Sequence, residues 1–120
     1  MNEKLARNFT RSELQCPCCQ KCEINPVLIT RIQSLRDLLG PIVITSGYRC
    51  VKQNKKVGGT KNSQHLKGNA VDIRIKKLDS IRRFKLIKTV YMLEFTGIGI
   101  GKNNFHVDIR DGPPSSWSYS

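Results

Sequence analysis

Apolar residues recur along this chain in two periods. Leu28, Ile32, Leu35 and Leu39 stand three or four residues apart, the spacing of one helix face. Asn25-Pro26 in front of them suits an N-cap followed by proline at the first helical position, and Gly40 behind them suits a stop. Ile81, Phe84, Ile87 and Tyr91 have similar spacing. They predict a second helix from a cap at Asp79 through Glu94, with these four side chains turned inward. Elsewhere the period is two. Pro41-Ile42-Val43-Ile44-Thr45-Ser46 reads as a short β-branched strand stopped by Gly47. Ala70 to Ile75 reads as another, with Asp72 and Arg74 on one face and Val71 and Ile73 on the other. Gly97 to Gly101 and Phe105 to Arg110 predict a closing hairpin around Lys102-Asn103-Asn104. Val51 to Thr60 is basic and ends in Gly58-Gly59, so a short helical turn and a loop are expected there. The tail, Asp111 to Ser120, is rich in turn residues, and Trp117 and Tyr119 are expected to fold back on the body. These elements predict an α+β fold: a small antiparallel sheet flanked by helices.

At 120 residues the chain is expected to form one domain, 1–120, with one modest core. Residues 1–24 make a cysteine-rich opening segment and 111–120 a tail packed back on the rest. Hydrophobic residues make up 38% and charged residues 25%, which fits a globular chain. No apolar run approaches the roughly 20 residues of a membrane span. Met1 to Arg11 lacks the apolar stretch of a secretory signal, so synthesis in the cytoplasm is expected, with another route to any target outside. A monomer is expected.

The net charge of +12 favours polyanions by long-range attraction. Nucleic acid and anionic wall polymers both qualify, as does a merely solvated basic face. The lysines and arginines do not alternate with aromatics, which are only 7% of the chain, and this disfavours a nucleic-acid module.

Cys16, Cys18, Cys19, Cys22 and Cys50 make an odd count, with four crowded together. Without a signal segment a disulfide framework is not expected. Cys16-x-x-Cys19-x-x-Cys22 resembles half of a zinc knuckle, and Cys50 closes a four-thiolate structural site if the fold brings it near. The plainer reading is a tight loop of reduced thiols.

The chain has two histidines. His65 precedes Asp72 across a segment that Gly68 lets turn tightly, and His106 and Asp108 share a face of the last strand. If the two strands are neighbours, these four residues converge. His65, Asp72 and His106 offer two imidazoles and a carboxylate, which suits one Zn²⁺ with a fourth position open for water. The alternative for Asp72 is an ordinary pair with Arg74. His-x₆-Asp alone is not a specific pattern.

Longer motifs carry a resemblance. Ser63-Gln64-His65, Gly68-Asn69-Ala70-Val71-Asp72-Ile73 and Phe105-His106-Val107-Asp108-Ile109-Arg110 resemble the SxHxxGxAxD and HVD motifs of the zinc D-Ala-D-Ala carboxypeptidase family of peptidoglycan peptidases, which shares its fold with the Hedgehog signalling domain. Ile44-Thr45-Ser46-Gly47-Tyr48-Arg49-Cys50 is similar to that family's (T/S)-S-G-Y-R segment. Asn54, Val57-Gly58-Gly59, Gly97-Ile98-Gly99 and Phe9 to Leu14 also match in order. The resemblance implies a zinc metallopeptidase acting on the stem or cross-bridge peptide of peptidoglycan, as a carboxypeptidase or an endolysin-like endopeptidase. It implies His65, Asp72 and His106 as zinc ligands, and Arg49 as the group that polarises the scissile carbonyl. Ser63, Gln64 and Tyr48 fall where substrate approaches. A glutamate found in many members is Asn103 here. Asp108 is then the nearest carboxylate for general base, or else the partner that orients a ligand histidine. The resemblance, taken with the small size, implies a phage lytic or virion-borne enzyme. The missing glutamate leaves a second reading, a non-catalytic wall-binding or protein-binding module. A basic nucleic-acid binder built on the cysteines is a third.

Overall fold

The computed structural model describes residues 2–119. The chain opens with a two-stranded ribbon, β1 (Lys4–Ala6) and β2 (Phe9–Thr10), and a single helical turn, α1 (Arg11–Leu14). Glu13 accepts a hydrogen bond from the Thr10 N–H at 2.9 Å, which holds the start of α1. Helix α2 (Pro26–Leu39) begins where the sequence places it. Asn25 Oδ1 accepts from the Val27 N–H at 3.0 Å, and Gly40 ends the helix with φ +88°. Then follow β3 (Ile44–Ser46), α3 (Val51–Lys56), a 3₁₀ turn (Gln64–Lys67), β4 (Ala70–Arg74), α4 (Ser80–Met92), β5 (Gly97–Ile100), β6 (Asn104–Asp108) and β7 (Ser115–Ser118). No described helix is long and apolar enough to cross a membrane.

The main sheet has the order β3-β4-β6-β5-β7. Its first four strands are antiparallel, as expected from the hairpin pattern. The fifth corrects that expectation: the tail forms β7, which pairs with β5 in parallel, so the sheet is mixed. The turn at Gly112-Pro113-Pro114 reverses the chain after β6 and carries it across to the far side of β5, and that path sets the direction.

One face of the sheet is core. Val71 and Ile73 from β4 and Phe105 and Val107 from β6 pack with Leu28, Ile32 and Leu35 of α2 and Leu86 and Val90 of α4. This is the alternation read from the sequence, and it leaves Asp72, His106 and Asp108 on the opposite face. Helix α4 corrects a second expectation. Its cap is Asp79, which accepts from the Arg82 N–H at 2.8 Å. Its buried side chains, however, are Leu86, Thr89 and Val90. Ile81, Phe84 and Tyr91 are 79%, 69% and 77% exposed, and Ile87 lies at the border of that outer face. Leu86, Val90 and Leu93 repeat at helical spacing as faithfully as the other set does, so periodicity does not choose between the two stripes. Contact with α2 and Phe95 chooses.

Candidate metal centre and cleft

Three elements bring the site together. The 3₁₀ turn presents His65: Ser63 Oγ accepts from the His65 N–H at 3.2 Å, and Gly68 ends the turn in the left-handed region. The neighbouring Asn25 N–H donates to the Gly68 carbonyl at 2.9 Å, tying this turn to the start of α2. A Cβ at Gly68 would stand 1.8 Å from the Glu23 carbonyl oxygen. Gly68→Ala is therefore expected to destabilise the chain by about 1–3 kcal/mol and to weaken metal retention, because the turn holding His65 must move. Thermal denaturation and zinc titration check this; no change in either would show the turn to be unconstrained.

Strands β4 and β6 supply the rest. Asp72 pairs directly with His106 in the register, and Ala70 with Asp108. One oxygen of Asp72, Oδ1, lies 3.1 Å from His65 Nε2 and 3.1 Å from His106 Nδ1. The donor atoms of His65, Asp72 and His106 all lie within 4.8 Å of one another. Among the described residues Asp72 does not pair with Arg74. Its second oxygen meets Arg49 Nη2 at 3.2 Å.

The opposite nitrogens of both rings are also committed. His65 Nδ1 lies 2.7 Å from the Gly47 carbonyl, and His106 Nε2 lies 2.7 Å from Asp108 Oδ2. A carbonyl and an ionised carboxylate only accept, so each ring must spend a proton on that outer bond. In a neutral imidazole the inner nitrogen then carries a lone pair, and both lone pairs face the same Asp72 oxygen. Three electron-rich atoms meet at one point, which requires a cation among them: protons on the imidazoles, or a metal. The residues fit a metal. Their mutual spacing approaches the tetrahedron edge of about 3.4 Å set by Zn–N and Zn–O bonds near 2.1 Å. Backing of each histidine by a carbonyl or a carboxylate is the arrangement that fixes ligand tautomers.

Titration behaviour follows the same crowding. Burial raises the Asp72 carboxyl, but the hydrogen bonds from His106 and His65 outweigh it and hold the group far below the usual carboxylate range. For His106 burial favours the neutral ring, and Asp108 and Asp72 together reverse that and raise it. Burial likewise raises Asp108, while His106 and Arg110 bring it well below its ordinary value.

Asp108, expected either as general base or as the partner that orients a ligand histidine, lies against His106. It is fully buried. Its Oδ2 accepts from Arg110 Nη2 at 2.6 Å and contacts His106, and its Oδ1 accepts from Arg110 Nε at 3.0 Å and from the Arg110 N–H at 3.1 Å. Both of its oxygens are engaged and it has no exposed surface. Gly97 lies opposite it, and a Cβ there would stand 2.1 Å from Asp108 Oδ1. On the same face Trp117 packs against the His106 ring, with centroids 5.3 Å apart, and lies 4.7 Å beneath the Arg110 guanidinium. Arg110, Gly97 and the Gly47 carbonyl thus support the site in ways that the sequence pattern does not assign. The alternation Gly97-Ile98-Gly99 was the available signal, since a strand face without side chains marks a close approach.

A cleft of about 410 Å³ opens beside Asp72, with Ser12, Glu13, Ser46, Arg49 and Asn104 in its wall. Arg49 is anchored by Nε to Ser46 Oγ at 3.1 Å and by Nη1 to the buried Asn54 Oδ1 at 3.3 Å, besides its pair with Asp72. The three residues expected at the substrate approach lie elsewhere. Ser63 caps the 3₁₀ turn, and Gln64 accepts from Asn69 Nδ2 at 3.5 Å. Tyr48 is buried, and Glu23 together with burial pushes its phenol up to about 12. Asn103 sits exposed at the β5–β6 turn.

The cysteine quartet is also rearranged. Cys16, Cys19 and Cys50 bring their sulfurs within 4.8 Å of one another. Cys22, expected to join them, instead packs half-buried against the hydrophobic core, and Gln20 between them takes a left-handed φ of 59°.

The Peptidase M15 family model matches residues 7–109. Among curated proteins, a zinc D-Ala-D-Ala carboxypeptidase of Streptomyces albus G is 29% identical over 94 residues, which cover 77% of this chain and 37% of that protein. A peptidoglycan L,D-endopeptidase, MepK, of Escherichia coli K12 is 30% identical over 102 residues, covering 78% of this chain and 54% of that protein. The chain thus spans about half or less of the length of these relatives.

Proposed function

The chain belongs to the peptidase M15 family, and on that premise we propose that it is a zinc metallopeptidase hydrolysing peptide bonds of bacterial peptidoglycan. The observation that carries this reading is the convergence of His65, Asp72 and His106 on one point beside the Arg49 guanidinium, at the wall of an open cleft. These three residues hold the metal. A zinc ion there supplies Lewis acidity, which polarises a carbonyl and acidifies water. Asp108 and the Gly47 carbonyl hold the two imidazoles in the tautomers that ligate.

Arg49 receives the substrate carbonyl. Its guanidinium is a planar fork of donors, and its anchors to Ser46 and Asn54 fix that fork before charge develops on the oxygen. Glu13 is the one carboxylate besides Asp72 in the described cleft wall. It accepts the proton of the attacking water and returns it to the leaving amine. The two relatives are named for a D-Ala-D-Ala bond and for an L,D-bond, which supports a substrate bond next to a D-amino acid. The net charge of +12 supports retention on anionic wall polymers.

Purified sacculi provide the test. Chelator-sensitive release of wall peptides is expected, and mass spectrometry of the products separates removal of a terminal residue from cutting within the stem or cross-bridge. A zinc-loaded protein that releases nothing from any wall type would favour the non-catalytic module. Glu13→Gln isolates the proton acceptor. Glutamine keeps the bond to the Thr10 N–H and so keeps α1, but it does not take up a proton. Turnover is expected to fall about 10²–10⁴-fold with zinc content and melting temperature unchanged. Unaltered turnover would remove Glu13 from this role.

A further inference from the structure

A second group of metal-binding atoms lies outside the cleft. Cys16, Cys19 and Cys50 come from segments far apart in sequence, yet their sulfurs lie within 4.8 Å of one another. Cys16 and Cys50 sulfurs are 3.6 Å apart. A disulfide needs about 2.05 Å. Two thiolates on one tetrahedral zinc, with Zn–S bonds near 2.3 Å, stand about 3.8 Å apart.

Backbone N–H groups donate to two of these sulfurs. Cys16-Pro17-Cys18-Cys19 opens a tight turn closed by the Gln20 N–H donating to the Cys16 carbonyl at 2.8 Å. The Cys50 N–H donates to Cys16 Sγ, at 3.4 Å, and the Gln53 N–H, at the start of α3, donates to Cys50 Sγ at 3.5 Å. Donors around sulfur compensate negative charge, which thiols do not need and metal-bound thiolates do. A fourth thiol is adjacent in the chain: Cys18 is exposed, and its sulfur stands outside the 4.8 Å group.

We propose that Cys16, Cys19 and Cys50, closed by Cys18, hold a structural zinc ion. The ion ties the opening segment to the turn between β3 and α3. This junction already carries a backbone bond from the Tyr48 N–H to the Leu14 carbonyl at 2.9 Å. Glu13 stands just before Cys16 and Arg49 just before Cys50, so the tie sets the spacing of two opposite parts of the cleft wall. The thiolate site stands independently of any catalysis at His65, and it gives the dense cysteines a purpose that the cleft does not.

Metal content and cobalt spectroscopy test it on the full chain prepared under reducing conditions. Two zinc ions per chain are expected for the wild type and for Cys22→Ser, and one for Cys16→Ser or Cys50→Ser. Cobalt-loaded wild type is expected to show thiolate-to-cobalt charge-transfer absorption, which a site of two histidines and an aspartate does not produce. That absorption should survive His106→Ala and disappear in Cys50→Ser. If the cysteine variants fail to fold, the wild-type cobalt spectrum and the Cys22→Ser protein still decide the question. Absence of the thiolate band, its loss in Cys22→Ser, or a Cys16–Cys50 disulfide in protein kept reduced would overturn the site.

Discussion

Asp72→Ala is expected to empty the centre between His65 and His106 and to abolish hydrolysis of wall peptides. Asp72 Oδ1 is the atom both imidazoles face, and Oδ2 aims Arg49. Its removal takes away one ligand, the negative charge that gathers the other two, and one anchor of the arginine. Loss of metal assistance alone is worth several kcal/mol of transition-state stabilisation, on the order of a thousandfold in rate. Asp72→Asn is the closer comparison. It preserves shape and an acceptor oxygen, so the fold should survive while zinc is lost. Zinc content by mass spectrometry and turnover on sacculi read the two effects separately. Full zinc and full turnover in either variant would exclude Asp72 from the centre.

Asp108→Asn separates an orienting role from a chemical one. An orienting group acts on affinity: zinc binding is expected to weaken about 10–100-fold, with turnover restored when zinc is added in excess. A proton acceptor would act on kcat, and excess metal would not rescue it. The substitution should also destabilise the fold, because Arg110 loses the carboxylate it grips at 2.6 Å. A fully buried broken pair costs about 3–5 kcal/mol. The Arg110 side chain keeps 27% of its surface exposed, so about 2–3 kcal/mol is expected, read from denaturant titration. Unrescued loss of kcat with normal zinc affinity would return Asp108 to the chemistry.

How much of this was legible beforehand differs from element to element. Helix α2 was legible in full, because its cap, its first-turn proline, its apolar stripe and its closing glycine are all local. Strands β4 and β6 were legible for the same reason: alternation sends Val71, Ile73, Phe105 and Val107 one way and Asp72, His106 and Asp108 the other. Helix α4 was legible in position and not in phase. Two apolar stripes share it, and only the neighbours of Leu86 and Val90 distinguish the buried one. The tail was expected to return, but a parallel β7 depends on the path around the end of the sheet, which no local pattern records.

The sequence by itself determined the residue types of the centre and the strand faces they occupy, because period and motif are properties of neighbouring positions. Tertiary structure alone decided four things. It paired Asp72 with His106 in register. It buried Asp108 against Arg110, with no exposed surface. It set Glu13 in the cleft wall, and it gathered Cys16, Cys19 and Cys50 while leaving Cys22 against the core. Apart from the local Asp108–Arg110 pair, each is a contact between segments distant in sequence, settled by which surfaces bury together and which donors and acceptors that burial leaves to be satisfied.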